Sequence, residues 1–170
     1  MPEVKEYSGL SGIRVHILRL FPDERGFFSE ALRRDWKELL EEDQIAQVNV
    51  SFSYPRIIRA WHRHLRGQVD YFLVLQGAMK ICAYEDRDNP TKGKLVEIVS
   101  NSHNPQVVRI PGIYWHGTKT ISSEPSLLVC FTTRLYDYQN PDEERRPWND
   151  ATIIDPKTDD PFDWNKLPHK

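Results

Sequence analysis

Turn-forming residues interrupt this chain so often that no long helix fits between them. The intervening runs are short, apolar and rich in branched or aromatic side chains: Ile13–Leu20, Ala46–Ser53, Ile57–His64, Tyr71–Leu75, Met79–Tyr84, Leu95–Val99, Val107–Ile110 and Leu127–Thr133. Pro22–Gly26, Pro55, Gly77, Arg87–Gly93 and Ser100–Gln106 divide them. Runs of this kind read as strands, and many short strands argue for an all-β sandwich or barrel. Ala46–Ser53 alternates strictly, with Gln47, Asn49, Ser51 and Ser53 on one face and Val48, Val50 and Phe52 on the other. Such a strand is either buried on its apolar side and wet on the other, or lines a polar cavity with its polar side. One short helix is expected over Ala31–Glu42, where Leu32, Trp36, Leu39 and Leu40 fall at helical spacing and Ser29 is placed to cap it.

Composition narrows the partners. The 170 residues carry 23 basic and 25 acidic side chains, a net charge of −2, and no basic block, which argues against nucleic acid. The first residues are charged and lack the apolar stretch of a signal peptide, and no apolar run reaches membrane-spanning length. The expectation is a cytoplasmic protein. Cys82 and Cys130 sit in apolar runs and are expected to be buried free thiols.

Six histidines provide the chemistry: His16, His62, His64, His103, His116 and His169. His62 and His64 are two apart on an expected strand and so share a face. Asp70 and Gly77 follow, and His116 comes later in Ile110–Gly117, I-P-G-I-Y-W-H-G. This order resembles the paired motifs of the cupins, whose fold is a small jelly-roll β-barrel. The chain is therefore expected to form one cupin-like domain over residues 1–170, with a short N-terminal helix and a few helical turns near the C-terminus. Neutral imidazoles with one carboxylate also suit a divalent transition metal, so His62, His64, Asp70 and His116 form an alternative metal site.

A second set of motifs is longer. Phe21–Glu30 (F-P-D-E-R-G-F-F-S-E), Gln47–Ser51 (Q-V-N-V-S), Ile57–His62 (I-I-R-A-W-H), Asn89–Gly93 (N-P-T-K-G), Ile110–Gly117 and Pro147–Asp150 (P-W-N-D) resemble, in order, the signatures of the dTDP-4-dehydrorhamnose 3,5-epimerase family. The resemblance implies an isomerase acting on a nucleoside-diphosphate-linked 4-keto-6-deoxy sugar, without a cofactor. It implies His62 as the base that removes a proton beside the ketone; His64, on the same face, and Tyr138 are further candidates for proton transfer. Arg25 would bind phosphate, Arg59 and His116 would face the enolate oxygen or the sugar, and Glu30, Gln47 and Asn49 would contact the ligand. It also implies a homodimer in which an N-terminal segment carrying Phe27 and Phe28 crosses to the partner.

The chain departs from that family at several positions. Asp70 stands where the family has a lysine, Ile81 near where it has an acid, and Thr132 or Thr133 near where it has a tyrosine. The family's C-terminal S-x-K-D has no counterpart. His64 replaces a neutral residue, and R-x-x-H-x-H resembles the nucleotide-sugar 3,4-ketoisomerases, where paired histidines move protons between neighbouring carbons. Arg59 and His62, three apart, would lie on opposite faces of a regular strand; a bulge near Ala60 would bring them together.

Overall fold

The computed structural model describes residues 4–7 and 9–166, so His169 lies outside the described residues. Among the described residues, thirteen strands and one helical turn follow in order: β1 (Val4–Glu6), β2 (Arg14–Ile17), β3 (Phe21–Asp23), β4 (Gly26–Phe28), α1 (Lys37–Leu40), β5 (Gln47–Ser53), β6 (Ile58–Arg63), β7 (Val69–Gln76), β8 (Ala78–Tyr84), β9 (Leu95–Asn101), β10 (Gln106–Pro111), β11 (Trp115–Thr120), β12 (Ser126–Thr132) and β13 (Glu144–Arg145). They form an antiparallel six-stranded sheet ordered β1-β2-β10-β7-β12-β5, a five-stranded sheet ordered β13-β6-β11-β8-β9, and the β3–β4 hairpin. The class is all-β, and every expected strand is present.

The two large sheets enclose the core with their inner faces. Alternation on β7 decides which side chains enter it: Phe72 and Val74 point inward with Val15, Val108 and Ile110, against Met79, Ile81, Ala83, Val96 and Ile98. Tyr71 and Leu73 point outward and are covered by Leu39 and Leu40. On the other sheet the outward residues Trp61, Cys82, Tyr84 and Trp115 are covered by Ile153, Phe162 and Trp164 from the C-terminal segment. Trp61 lies 4.8 Å from Trp164 and 5.7 Å from Phe162 between ring centroids. Asp86 helps pin that segment down: it accepts from Trp115 Nε1 at 2.8 Å and pairs with Arg63 and Arg146.

Two helical expectations are corrected. Only Lys37–Leu40 is helical, not Ala31–Glu42. The apolar stripe packs as its spacing demands, but Trp36 is an N-cap with no side-chain hydrogen bond and Glu41 turns to a positive φ of 54° at the other end. Ser29 donates to the Arg19 carbonyl instead of capping. Upstream, Arg33 is clasped by Asp35 and Glu30, which holds that stretch as a loop. A piece so short has little helical stability of its own and is held by packing. The C-terminal segment is built of turns and one isolated bridge, with no helix among its described residues.

Candidate active site

One half of the space between the sheets is not filled. There a cavity of about 880 Å³ opens, lined from β5, β6, β7, β11 and β12 and from the segments 42–47 and 133–143. That volume is in the usual range for a small-molecule site. Gln47, Asn49 and Ser51 face into it, while their neighbours Val48, Val50 and Phe52 point outward and stay 55%, 68% and 47% exposed. The strict alternation of β5 is thus that of a cavity wall with its polar side inward.

Arg59, His62 and His64 all reach the cavity. The expected bulge makes this possible. Strand β11 pairs His116 with His62 but Gly117 with Ala60, so Trp61 has no partner on β11 and turns out into the C-terminal cluster. One extra residue restores Arg59 and His62 to the same face. The crossing is tight: a Cβ on Gly117 would sit 2.3 Å from the Ala60 Cβ. Strand β11 itself was not anticipated, because W-H-G-T-K-T after a Pro-Gly turn has no run of branched residues to signal it. Arg59 donates to Ser53 Oγ at 2.9 Å and to the Phe52 carbonyl at 3.0 Å, which ties the two sheets at the cavity edge. Gln47 donates to Asn49 Oδ1 at 2.7 Å, and its own oxygen accepts from the Tyr136 amide at 2.9 Å.

His64, Asp70 and His116 meet on the cavity floor. Asp70 Oδ2 lies 3.2 Å from His116 Nε2 and 3.5 Å from His64 Nε2, and Gln68 Nε2 donates to Oδ1 at 2.8 Å. Gly112 permits the adjoining turn to close over them, since a Cβ there would sit 2.8 Å from the His64 Cβ. Burial opposes the charge on Asp70, but the bonds from His116 and His64 hold its carboxyl well below the usual range. Burial also opposes a charge on His64, yet the hydrogen bond and charge of Asp70 raise its pKa.

His62 differs. Burial first, and the neighbouring charge of His116 second, push its pKa down to about 4. Its ring stands 6.3 Å from that of His116. It is thus a neutral imidazole on the cavity wall, near His64, whose pKa Asp70 raises. Neighbouring groups whose pKa values are driven apart are suited to opposite roles in proton transfer.

The remaining expected residues divide. His64, Asp70 and His116 offer ligand atoms within 4.8 Å of one another, but His62 stands outside that group, so the alternative four-ligand metal set is not assembled. Tyr138 is 84% exposed, stacked edge-on against Tyr136, and does not line the cavity; Tyr136 does. Arg25 and Glu30 also lie outside the cavity, Arg25 on the β3–β4 hairpin paired with Asp23, and Glu30 paired with Arg33. Both cysteines are free, as expected, and burial raises both thiols; Cys82 is in the outer cluster, whereas Cys130 lines the cavity. The reading of motifs overlooked the cavity residues Arg66, Arg134 and Glu143, which lie in loops where no periodicity marks them.

The comparisons fit this geometry. The sequence profile of the dTDP-4-dehydrorhamnose 3,5-epimerases matches residues 8–156. The chain belongs to the dTDP-4-dehydrorhamnose 3,5-epimerase family. It is 44% identical over 158 residues to the probable low-salt glycan biosynthesis epimerase Agl13 of Haloferax volcanii, covering 92% of this chain and 96% of that one. It is 35% identical over 157 residues to the spore coat polysaccharide biosynthesis protein SpsL of Bacillus subtilis, covering 92% and 97%. Its structure resembles that of the Bacillus anthracis 3,5-epimerase with TDP and pyrophosphate bound, with a TM-score of 0.80, 25% identity and coverage of 92% and 90%. As a member of this epimerase family, the protein is an isomerase that epimerises a nucleotide-linked sugar.

Proposed function

We propose that the protein epimerises a dTDP-linked 4-keto-6-deoxy sugar, of the kind that leads to dTDP-rhamnose, and that His62 is the base. The ketone acidifies the C–H bonds beside it. His62 takes one such proton, the electron pair moves into the ring, and the ketone oxygen becomes an enolate oxygen. Return of a proton to the opposite face inverts the carbon. No oxidant, metal or organic cofactor enters this balance. The single observation that carries the reading is the convergence of His62, Arg59 and His116 on the wall of a polar cavity, where burial pushes the His62 pKa down to about 4. A general base must be unprotonated and within reach of the bond it attacks.

Arg59 and His116 are assigned to the enolate oxygen, and Gln47 and Asn49 to the sugar, since all four reach the cavity. His64 is assigned to proton handling beside His62. Arg25 and Glu30 cannot serve the cavity of their own chain in this arrangement. They are assigned to a partner's ligand in a homodimer, with residues 1–170 acting as one domain. Strand β5 supports this assembly: it is a sheet edge with Val48, Val50 and Phe52 exposed, and Phe27 and Phe28 on the hairpin are exposed as well. No helix among the described residues is long and apolar enough to cross a membrane, and the assigned setting is the cytoplasm.

The test is solvent deuterium uptake into dTDP-4-keto-6-deoxyglucose. Uptake at C3 or C5 is expected with the native protein, and a loss of about 10²–10⁴-fold with His62→Ala. Uptake that persists in His62→Ala contradicts the assignment of the base.

A further inference from the structure

Inversion at a carbon needs two proton-handling groups, one on each face of the sugar. The cavity histidines all stand on one side. His62 lies on β6, His64 directly after that strand and His116 on β11, and both strands belong to the five-stranded sheet. Whichever of them removes the proton, the group that returns one to the opposite face must come from the six-stranded side. Among the described residues, that wall carries few side chains able to give up a proton. Its Ser and Thr hydroxyls and the amides of β5 are too weakly acidic for the task. Asp70 already accepts from Gln68 and faces two of the histidines. Asp43 accepts from Tyr71 and Arg109, and Asp137 from the amides of Gln139 and Asn140, so both are held as carboxylates. Glu42 reaches into bulk water. Cys130 packs against the filled half of the core, and burial raises its thiol. The phenol of Tyr136 remains.

We infer that Tyr136 is the catalytic residue that returns the proton on the face opposite His62. The inference rests on the epimerase reading and deepens it, by naming the second proton-handling group. Tyr136 lines the cavity and is 43% exposed, which puts it where the cavity opens. Its backbone N–H donates to Gln47 Oε1 at 2.9 Å, which fastens the segment after β12 to the start of β5 on the six-stranded side. The ring of Tyr138, edge-on with centroids 5.0 Å apart, braces it from the solvent side. Arg145 pairs with Glu143 at 2.8 Å, and an ionised Tyr136 would favour its charge as well. The step balances. The phenolic O–H bond breaks, a C–H bond forms at the enolate carbon from the enolate electron pair, and the ketone is restored. The phenolate left on Tyr136 is stabilised by Arg145. Solvent then carries the proton held by His62 back to it.

The experiment incubates the full chain with dTDP-4-keto-6-deoxyglucose in deuterium oxide. Proton NMR follows two rates, deuterium uptake beside the ketone and formation of the inverted product. The native protein is expected to show both. In Tyr136→Phe, inversion is expected to fall about 10²–10⁴-fold. Uptake into the uninverted sugar is expected to stay within about 10-fold of native, because His62 still removes the proton and returns a deuteron to the face it came from. Loss of one hydroxyl from a half-exposed ring leaves the fold intact, which circular dichroism checks. Inversion by Tyr136→Phe within about 3-fold of native overturns the inference. An equal loss of both rates also overturns it, because Tyr136 would then serve binding or shape alone. So does a larger loss of inversion in Tyr138→Phe than in Tyr136→Phe. A native protein that shows neither rate overturns the epimerase reading and the inference with it, whereas the variant outcomes overturn the inference alone.

Discussion

The two halves of the space between the sheets obey the same alternation and end up opposite. Where β2 and β10 face β8 and β9, the inward side chains are Val15, Val108, Ile110, Ile81, Ala83 and Ile98, and the space is filled. Where β5 and β12 face β6 and β11, the inward side chains are Gln47, Asn49, Arg59, His62, His116 and Thr132, and the space is open. Strand β7 spans the change within one run: Val74 and Phe72 belong to the core, and Asp70, two residues before Phe72, belongs to the site. A filled half gives the rigidity that lets polar groups be held apart in the open half. The outer clusters around Trp164 and Leu39 cover part of both sheets, while the outer face of β5 stays exposed.

This contrast can be broken most forcefully at the outer cover. Trp164→Ala removes a side chain that is 1% exposed and packed on Trp61 and Phe162, and is expected to cost about 3–5 kcal/mol, measured by urea unfolding. In the filled half, Ile81→Ala is expected to cost about 2–4 kcal/mol while the folded fraction keeps native KM. In the open half the same kind of truncation behaves differently. Asn49→Ala is expected to change stability by less than about 0.5 kcal/mol but to raise KM up to about 10-fold, since it removes a ligand contact and no core packing. An Asn49→Ala protein that loses stability without a change in KM would show that the two halves are not functionally distinct.

The smallest effect concerns His16. It is 2% exposed, stacked 4.0 Å from Trp36, and neither ring nitrogen has a partner. Burial lowers its pKa, so the unfolded chain takes up a proton more readily than the folded one. Its contribution to stability is complete above the unfolded value of about 6.5 and is lost as pH falls below it. His16→Phe is expected to flatten the decline in stability between pH 6.5 and 5. An unchanged slope would contradict that account.

Much of the fold was legible in the sequence because turn residues and period-two alternation act locally. Ala46–Ser53 and the bulge beside Ala60 were both readable, the second because the Arg59 and His62 motif required a shared face. The helix boundaries were not, because loop ion pairs at Arg33 and packing under Leu39 decide them rather than propensity. In the site, His62, His64 and His116 were legible as motif residues. The place of Asp70 between His64 and His116 was not, because it depends on how β7 and β11, far apart in sequence, face each other from different sheets. Tyr138 shows the opposite error: a residue type suited to proton transfer, placed by the chain outside the cavity.

The account turns on a histidine at position 62 that stays neutral well below the ordinary range. Burial and the charges of His116, Arg145 and His64 lower its pKa to about 4, against the opposing effect of Glu143. The pH profile of kcat/KM for solvent deuterium exchange reads this directly, over the range in which circular dichroism shows the chain folded. The account predicts an acid limb near pH 4 that is absent in His62→Ala. An acid limb near pH 6.5, or one that survives the substitution, would contradict it.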